Sequence, residues 1–353
     1  MSMERVHVDT KQRSYDILIG RALLAMTGEK LREVLPGCTS AIVVCDDTVE
    51  RLFSAAVMES LSRAGIPAHV HSFPHGEEHK TMHTVMGILE SMEDHSLQRS
   101  SAVVALGGGV TGDMAGLAAA LYMRGIPFIQ LPTTLLAAQD SSVGGKTAVD
   151  LRAKNMVGAF WQPSLVLCDC DALEKLPDSV FNDGCAEMIK HGAIADPGLF
   201  AMLERGEHRT SLPECIRRSV SVKAKVVSGD ELDTGARQIL NFGHTIGHAI
   251  EKCSDFGETH GRAVAAGMCI MARACEKQGI AAPGSAARLE ALVRSCSLPD
   301  GTALGADELY DAALSDKKRS GDSISLIRMR SIGDCYISRE PTSALREVLE
   351  KGL

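Results

Sequence analysis

The chain has 353 residues, of which 45% are hydrophobic, and it carries a net charge of −8. This length predicts two domains or one large domain with a sizeable core. The negative net charge argues against a protein that binds nucleic acid through an overall positive charge. No apolar run approaches a membrane span, the opening residues MSMERVHVDTK are too polar for a signal peptide, and the eleven cysteines include no CxxC pair. We therefore expect a reduced, cytoplasmic protein whose cysteines are mostly buried and free.

The first half of the chain alternates segments typical of strands and helices. Short β-branched runs such as AIVVC are typical of buried parallel strands. Repeated strand–helix units of this length predict an α/β domain with a Rossmann-like open parallel sheet covered by helices. The predicted strands are residues 14–19, 41–45, 67–73, 101–106, 127–131 and 165–168, and the predicted helices are 49–64, 81–95 and 111–122.

The second half has a different character, because long amphipathic or alanine-rich segments replace the strands. A pair of strand signals near the end predicts a small hairpin. We place the boundary so that residues 1–170 form the α/β domain and residues 171–353 form a mainly α-helical domain. The predicted helices are 180–194, 212–227, 239–252, 262–278 and 285–296, and the hairpin strands are 323–328 and 335–338.

A glycine-rich loop, GGGVTGD at residues 107–113, joins a predicted strand to a predicted helix. Glycines let backbone N–H groups approach a phosphate, and a helix N-terminus favours negative charge. The loop matches G-x-G-x-x-G, but the next strand does not end in the acid that a dinucleotide fingerprint places there. An acid, Asp46, ends an earlier strand instead. The pattern predicts a dinucleotide site with ribose contacts from Asp46, and its structural alternative is a tight packing turn.

A second loop, DSSVGGKT at residues 140–147, ends like a Walker A motif. Asp140 stands where that motif requires glycine, and no strand leads directly into the loop. These departures exclude a P-loop kinase or ATPase. The loop is instead interpreted as a polar turn that offers Asp140 and Lys146 to a site.

Three histidines lie close together in residues 241–261, NFGHTIGHAIEKCSDFGETHG. His244 and His248 are one helical turn apart, and His260 follows a short break. Neutral imidazoles bind zinc, and a catalytic zinc site requires one more donor. Glu187, in GCAEMIKHGAI, is the best candidate, although a Glu187–Lys190 pair on a solvated face is an alternative. Spacing alone does not choose two ligands among the three histidines.

Several cations stand inside short motifs that are otherwise uncharged. Surface solvation accounts for most lysines in most proteins. Here their placement favours convergence on an anionic ligand. They are Arg124, Lys146, Lys154, Lys190, Lys223, Arg237, Lys317 and Lys318, accompanied by Asn155 and Asn241.

Taken together, these segments resemble the 3-dehydroquinate synthase family of sugar phosphate cyclases through almost the whole chain. The resemblance implies an NAD-binding α/β domain and a helical metal- and substrate-binding domain, with the site between them. It implies Glu187, His244 and His260 as ligands of one divalent metal, Zn2+ or Co2+, and it makes His248 a substrate contact. The motifs that carry it are GGGVTGDMAGLAAALYMRG, LPTTLLAAQDSSVGGKTAVD, AKNMVGAFWQP, GCAEMIKHGAI, SVKAKVV, LNFGHTIGHAIE, HGRAVAAGM and SDKK.

The same resemblance implies roles for the remaining polar residues. Arg124 matches a residue that reaches the neighbouring subunit's site, which implies a homodimer. The implied NAD contacts are Asp46, Glu77, Lys80, Gly108, Gly109, Asp113, Thr133, Thr134, Lys146 and Lys154. The implied substrate contacts are Asp140, Lys146, Asn155, Lys190, Lys223, Arg237, Asn241, His248 and one of Lys317 or Lys318.

The implied reaction converts 3-deoxy-D-arabino-heptulosonate 7-phosphate to 3-dehydroquinate and phosphate. It proceeds by transient NAD oxidation at C5, phosphate elimination, reduction, ring opening and aldol closure, within the shikimate pathway. Lys223 and Arg237 are expected to hold the carboxylate, and Asp140 and Lys190 are expected to orient hydroxyl groups. The residues expected around the phosphate are Lys146, Asn155, Asn241, His248, the late lysine and the partner's Arg124.

Three alternatives stand beside this interpretation: another sugar phosphate cyclase of the valiolone or inosose type, a metal-dependent polyol dehydrogenase, and an inactive NAD- or metal-binding protein. The joint presence of the cations and the DSSVGGKT loop argues against them. The chain departs from the family pattern at Ser179-Val180, at Lys175 and at Arg262. None of these departures removes an implied ligand or substrate contact, but Arg262 stands near the implied metal site.

Overall fold

The computed structural model describes residues 3–255, 257–315 and 322–353. The chain divides into two compact units, Met1–Leu176 and Pro177–Leu353. The first unit is an α/β structure and the second is mainly helical, as the sequence predicts.

The strands of the first unit are β1 (Glu4–Val8), β2 (Tyr15–Gly20), β3 (Ala41–Asp46), β4 (Ala68–Phe73), β5 (Ala102–Gly107), β6 (Phe128–Pro132), β7 (Lys146–Val149), β8 (Val157–Phe160) and β9 (Leu165–Asp169). Seven of them form one sheet with the strand order β1-β2-β9-β6-β5-β3-β4. All neighbouring strands in it are parallel except the antiparallel pair β1 and β2. A separate antiparallel hairpin consists of β7 and β8.

Helices pack on both faces of this sheet, since successive strand residues point to opposite faces. Val43 of β3 packs with Leu61 in one buried cluster, whereas the preceding residue, Ile42, packs with Ile88 in the other. The helices of the unit are α1 (Thr27–Val34), α2 (Asp47–Val49), α3 (Ala55–Arg63), α4 (Met82–Asp94), α5 (Gly109–Leu121) and α6 (Cys170–Leu173). A π-helical segment, Glu50–Ser54, joins α2 to α3, and a second one spans Ala137–Ser141.

The second unit surrounds a buried helix, α12 (His260–Lys277), whose small side chains allow close packing. Gly267 lies in α12, and a Cβ atom there would lie 2.2 Å from the carbonyl oxygen of Gly243, so only glycine permits this approach to the start of α11 (His244–Cys253). The elements are α7 (Asp178–Ala195), α8 (Pro197–Glu204), α9 (Glu207–Thr210), α10 (Leu212–Gly229), α11 (His244–Cys253), α12 (His260–Lys277), α13 (Ser285–Ser295), α14 (Ala306–Ser315), β10 (Ser323–Ser331), β11 (Asp334–Pro341) and α15 (Ser343–Gly352).

Several details differ from the sequence predictions. The predicted helix 239–252 is divided, because a 3-10 helix (Ala236–Asn241) ends before Gly243, which adopts φ 80° and is the N-cap of the following α-helix. Lys146 opens strand β7 and so lies outside the predicted polar turn. The predicted terminal hairpin is confirmed as β10 and β11.

The cysteines are free and mostly buried, as the sequence predicts. All eleven are free thiols, and nine of them are buried. Among the described residues, no helix combines the length and the apolar character needed to cross a bilayer.

Candidate active site

The predicted cofactor residues of the first unit follow neighbouring strands at the carboxyl edge of the sheet. Asp46 ends β3, the glycine loop follows β5, and Thr133 follows β6. The chain passes from β3 outward to β4 and then returns to β5 on the other side of β3. A parallel sheet binds ligands at such a switch point, because the outgoing loops diverge there and leave a crevice.

The glycine loop packs tightly against the segment that follows β6. The backbone N–H of Thr133 donates to the Gly107 carbonyl at 2.9 Å. A Cβ atom on Gly108 would lie 3.2 Å from Thr134, and one on Gly109 would lie 3.2 Å from the Ser141 hydroxyl. That hydroxyl is buried and has no hydrogen-bond partner. A backbone with little room for side chains and an unsatisfied hydroxyl beside a helix N-terminus suit a phosphate-bearing cofactor such as NAD. Sequence reasoning did not single out Ser141.

Asp46 is held in place by the start of the next helix. Its Oδ1 atom accepts hydrogen bonds from the backbone N–H groups of Thr48 and Val49, each at 2.9 Å. The carboxylate is therefore an N-cap, which fixes its position at the end of β3.

Lys80, Asp113 and Asn155 form one connected polar group. The Lys80 Nζ atom lies 2.7 Å from Asp113 Oδ2 and donates to Asn155 Oδ1 at 2.6 Å. Lys80 is only 5% exposed. Burial acts to lower the pKa of Lys80, but Asp113 and then Glu77 and Asp150 raise it, and the resulting pKa lies above the usual value. Asp113, which the resemblance assigns to the cofactor, and Asn155, which it assigns to the substrate, thus both contact the buried Lys80 ammonium.

The other predicted residues of this unit lie in turns and at strand ends. Asp140 is in the π-helical segment, Lys146 opens β7, and Lys154 lies between β7 and β8. Arg124 is exposed at the end of a 3-10 turn and has φ 66°.

In the second unit, a buried carboxylate faces two imidazoles. The Glu187 Oε1 atom lies 3.5 Å from His244 Nε2 and 3.8 Å from His260 Nε2. Glu187 is completely buried, and neither carboxylate oxygen has a partner of normal hydrogen-bond geometry. A buried carboxylate is stable only beside cations, and a metal ion bound at Oε1 would supply one. One carboxylate and two neutral imidazoles form a suitable donor set for Zn2+ or Co2+ and leave a position open for substrate.

Helix packing brings these three residues together. Asp183 lies one turn before Glu187 on α7, and its Oδ1 atom accepts hydrogen bonds from the Thr259 hydroxyl and the Arg262 backbone N–H. These bonds hold the start of α12 against α7. His260, the first residue of α12, consequently faces Glu187.

The second ring nitrogen of each candidate ligand also has a partner. His244 Nδ1 donates to the Phe242 carbonyl at 3.3 Å, and His260 Nδ1 lies 3.6 Å from Glu251 Oε2. Such contacts direct the Nε2 lone pairs towards a metal. Glu251 is only 3% exposed, and sequence reasoning gave it no role. Its signal was available, because it follows His248 by three residues and so lies on the helix face that carries the histidines.

The charges around the imidazoles differ. Burial, followed by the charges of Lys190, His260 and His248, holds the pKa of His244 well below its usual range. Burial also acts to lower the pKa of His260, but Glu251 and Glu187 raise it above the usual value.

Lys190 contacts the other oxygen of Glu187, Oε2, as an ion pair. The predicted pair therefore exists, but it does not lie on a solvated face, because the Lys190 side chain is 2% exposed and that of Glu187 is 0% exposed. The ammonium partly compensates the carboxylate and lies next to the candidate metal position.

The remaining predicted residues of this unit include one exposed imidazole and two buried cations. His248 is exposed, with its ring centroid 5.4 Å from that of His244. Lys223 and Arg237 are 6% and 3% exposed. Asn241 lines a cavity of about 440 Å³ together with Thr245 and others. Lys317 and Lys318 lie outside the described residues.

Asp230 shapes the segment that carries Arg237. Its carboxylate accepts hydrogen bonds from the backbone N–H groups of Thr234, Gly235 and Arg237 at 2.8, 2.8 and 3.0 Å. The Arg237 side chain donates to the Glu231 carbonyl. Sequence reasoning did not identify Asp230.

The three departures from the family pattern have ordinary surroundings. Arg262 donates to Glu258 at 2.6 Å, and the Lys175 ammonium lies 5.8 Å from the Phe53 ring centroid. Ser179 and Val180 lie in the first turn of α7.

Comparisons with known proteins place these features in a family. Residues 70–183 match the family model described as 3-dehydroquinate synthase N-terminal, and residues 184–319 match 3-dehydroquinate synthase C-terminal. A 3-dehydroquinate synthase of Desulforamulus reducens is 42% identical over 352 residues, which cover 97% of this chain and 98% of that protein.

Two solved structures are similar over nearly the full length. A 2-deoxy-scyllo-inosose synthase complexed with carbaglucose-6-phosphate, NAD+ and Co2+ has 27% identity and a TM-score of 0.87, covering 99% of this chain and 100% of that one. The 2-epi-5-epi-valiolone synthase of Streptomyces hygroscopicus, with NAD+ and Zn2+ bound, has 28% identity and a TM-score of 0.84, covering 96% of each chain. With both halves matched and a curated relative aligned from end to end, the chain belongs to the 3-dehydroquinate synthase family.

Proposed function

We propose that this chain converts 3-deoxy-D-arabino-heptulosonate 7-phosphate to 3-dehydroquinate and phosphate. The observation that carries the proposal is the buried Glu187 carboxylate, whose Oε1 atom faces His244 and His260 and has no hydrogen-bond partner, in a chain of this family. The Lys190 ammonium contacts the other oxygen, Oε2, so Oε1 and the two imidazoles are available as a donor set for a metal ion.

NAD and one divalent metal, Zn2+ or Co2+, are the cofactors, as they are in the solved relatives. When bound, they supply a reversible oxidation at C5 and polarisation of the C5 oxygen. Glu187, His244 and His260 hold the metal. The residues that hold NAD are Asp46, Glu77, Lys80, Gly108, Gly109, Asp113, Thr133, Thr134, Lys146 and Lys154.

Cationic and polar side chains bind the two anionic groups of the substrate. Lys223 and Arg237 bind the carboxylate, because buried and desolvated cations interact strongly with an anion. Asn241 and His248 bind the phosphate together with Lys146, Asn155 and one of Lys317 or Lys318. Asp140 and Lys190 orient hydroxyl groups, so that catalysis rests on positioning and electrostatics.

We further propose a cytoplasmic homodimer in which Arg124 of each subunit reaches the partner's site. The exposure of Arg124, in a left-handed backbone conformation, supports a contact outside its own subunit. The eleven free cysteines support a reducing compartment. Mixing Arg124→Ala and Glu187→Gln chains tests the dimer. Random pairing should recover about a quarter of wild-type activity, since one site in each mixed dimer is intact. A mixture that stays inactive contradicts this arrangement.

The decisive experiment measures both products with purified, metal-loaded protein. We expect phosphate and 3-dehydroquinate to form in amounts far above the NAD added, without accumulation of NADH. The other cyclases are the second candidate, and glucose 6-phosphate, which lacks the carboxylate, should be a poor substrate. Faster turnover of glucose 6-phosphate favours an inosose-type enzyme, and net NADH formation favours a polyol dehydrogenase.

A further inference from the structure

A second group of metal-ligating side chains lies in the helical unit and involves none of the residues assigned to the reaction. Cys185 of α7, His208 of α9 and Cys296 at the end of α13 place their two Sγ atoms and one ring nitrogen within 4.8 Å of one another. The two cysteines are 1% and 2% exposed, and His208 is half-buried. Three separate helical elements therefore bring two thiol groups and one imidazole together at one position.

The separations suit a zinc ion. Bond lengths of about 2.3 Å to sulfur and about 2.0 Å to nitrogen give donor separations of about 3.5–3.8 Å in a tetrahedral site. No two of the three donor atoms are more than 4.8 Å apart, so side-chain rotations of at most about an ångström bring them to these separations. Zinc replaces the two thiol protons, so two thiolates and one neutral imidazole form a site with no net charge. A neutral site is compatible with the burial of both cysteines.

His208 supplies an independent observation. Its Nδ1 atom is buried and has no hydrogen-bond partner, which is an uncommon and unfavourable state for a ring nitrogen. Burial and then the neighbouring Arg209 guanidinium lower the pKa of His208. In its neutral form, the imidazole has a lone pair available for a metal.

We propose that Cys185, His208 and Cys296 form a second metal site, which binds a thiophilic divalent ion such as Zn2+ and completes its coordination with water. The ion links α7, α9 and the end of α13 and does not take part in the reaction. Its stabilising effect arises because it binds the folded chain and not the unfolded one.

Cobalt distinguishes this site from the catalytic one, because only a sulfur-bound Co2+ shows intense near-ultraviolet thiolate charge transfer. Glu187, His244 and His260 offer no sulfur. We expect reduced, metal-free protein to bind two equivalents of Co2+, one of them with the thiolate band. His208→Ala and Cys296→Ser should each lose that band and one equivalent, while their activity with the remaining metal stays at the wild-type level. Cys253→Ser, which changes an exposed cysteine outside the group, should keep both equivalents.

The measurement on wild-type protein is decisive even if a variant folds poorly. Saturation at one equivalent of Co2+ without a thiolate band overturns the proposal. A thiolate band that survives both His208→Ala and Cys296→Ser also overturns it, because the sulfur ligand then lies elsewhere. Isolation of a Cys185–Cys296 disulfide from protein kept under reductant contradicts it as well. None of these outcomes depends on whether the heptulosonate phosphate is the substrate.

Discussion

Glu251 Oε2 lies 3.6 Å from His260 Nδ1, on the side of the ring opposite Glu187. A carboxylate behind a metal-binding imidazole fixes its orientation and raises its basicity. We expect Glu251→Gln to weaken metal binding by roughly 10- to 100-fold. Titration of metal-free protein with Zn2+ against a chelator of known affinity measures the effect.

Glu290→Gln is the matched control for this change. Glu290 is also a mostly buried carboxylate of the helical unit, but its partner is Arg273. Its replacement should leave metal affinity unchanged. Equal affinities of Glu251→Gln and the wild type would show that the contact with His260 does not orient the ligand.

Lys190→Met should destabilise the metal-free protein and make it respond more strongly to zinc. The change leaves Glu187 buried without its ammonium partner, which costs about 3–5 kcal/mol of unfolding free energy. In the variant, added Zn2+ binds a Glu187 carboxylate that no longer has the Lys190 ammonium as a partner. Thermal melts with and without Zn2+ should show a larger increase in Tm for the variant than for the wild type. Lys277→Met, at an exposed position, should behave like the wild type, and an equal increase in all three proteins contradicts the prediction.

The Lys80–Asp113 pair should show strong energetic coupling. Either Lys80→Met or Asp113→Asn leaves a poorly solvated charge without its main partner, so each should lower the unfolding free energy by about 3 kcal/mol or more. The double variant should lose less than the sum, with a coupling energy of about 1–3 kcal/mol. Denaturant unfolding of the four proteins gives this value. Additive losses would mean that the two side chains act independently.

We expect Asp230 to make the free energy of unfolding depend on pH. The backbone N–H of Arg237, followed by that of Thr234, holds the pKa of Asp230 well below its usual value of 3.8. A carboxylate with a lowered pKa stabilises the folded state fully above its unfolded pKa and loses that contribution as the pH falls towards its folded pKa. The stability difference between wild type and Asp230→Asn should therefore be constant at neutral pH and shrink below pH 3.8.

The same variant tests the link from Asp230 to the substrate. Because Asp230 holds the backbone of Arg237, Asp230→Asn should raise KM for the heptulosonate phosphate at neutral pH more than it lowers kcat. Unfolding curves at several pH values and steady-state kinetics check the two effects. A stability difference that stays the same down to pH 2 is incompatible with a lowered pKa.

Local patterns were sufficient to predict much of the fold. Buried β-branched runs followed by helical segments predicted the parallel sheet, because the side chains of such strands contact apolar neighbours on both faces. The terminal hairpin was predicted from strand signals in the same way. The edge strand β1 was not, since it alternates polar and apolar residues over only five positions. The division before α11 also escaped prediction, because it depends on the backbone of Gly243 and on its contact with α12.

The sequence alone determined the residue types of the candidate site: three histidines in one short segment, one acid in an apolar helix, and glycines after a strand. It did not determine which imidazoles meet Glu187. That choice depends on tertiary structure, because Asp183 fixes the start of α12 against α7 and glycines let α11 approach α12. The roles of Glu251 and Asp230 and the meeting of Cys185, His208 and Cys296 have the same origin. Distances between residues far apart in the chain are set by helix packing, which no local pattern contains.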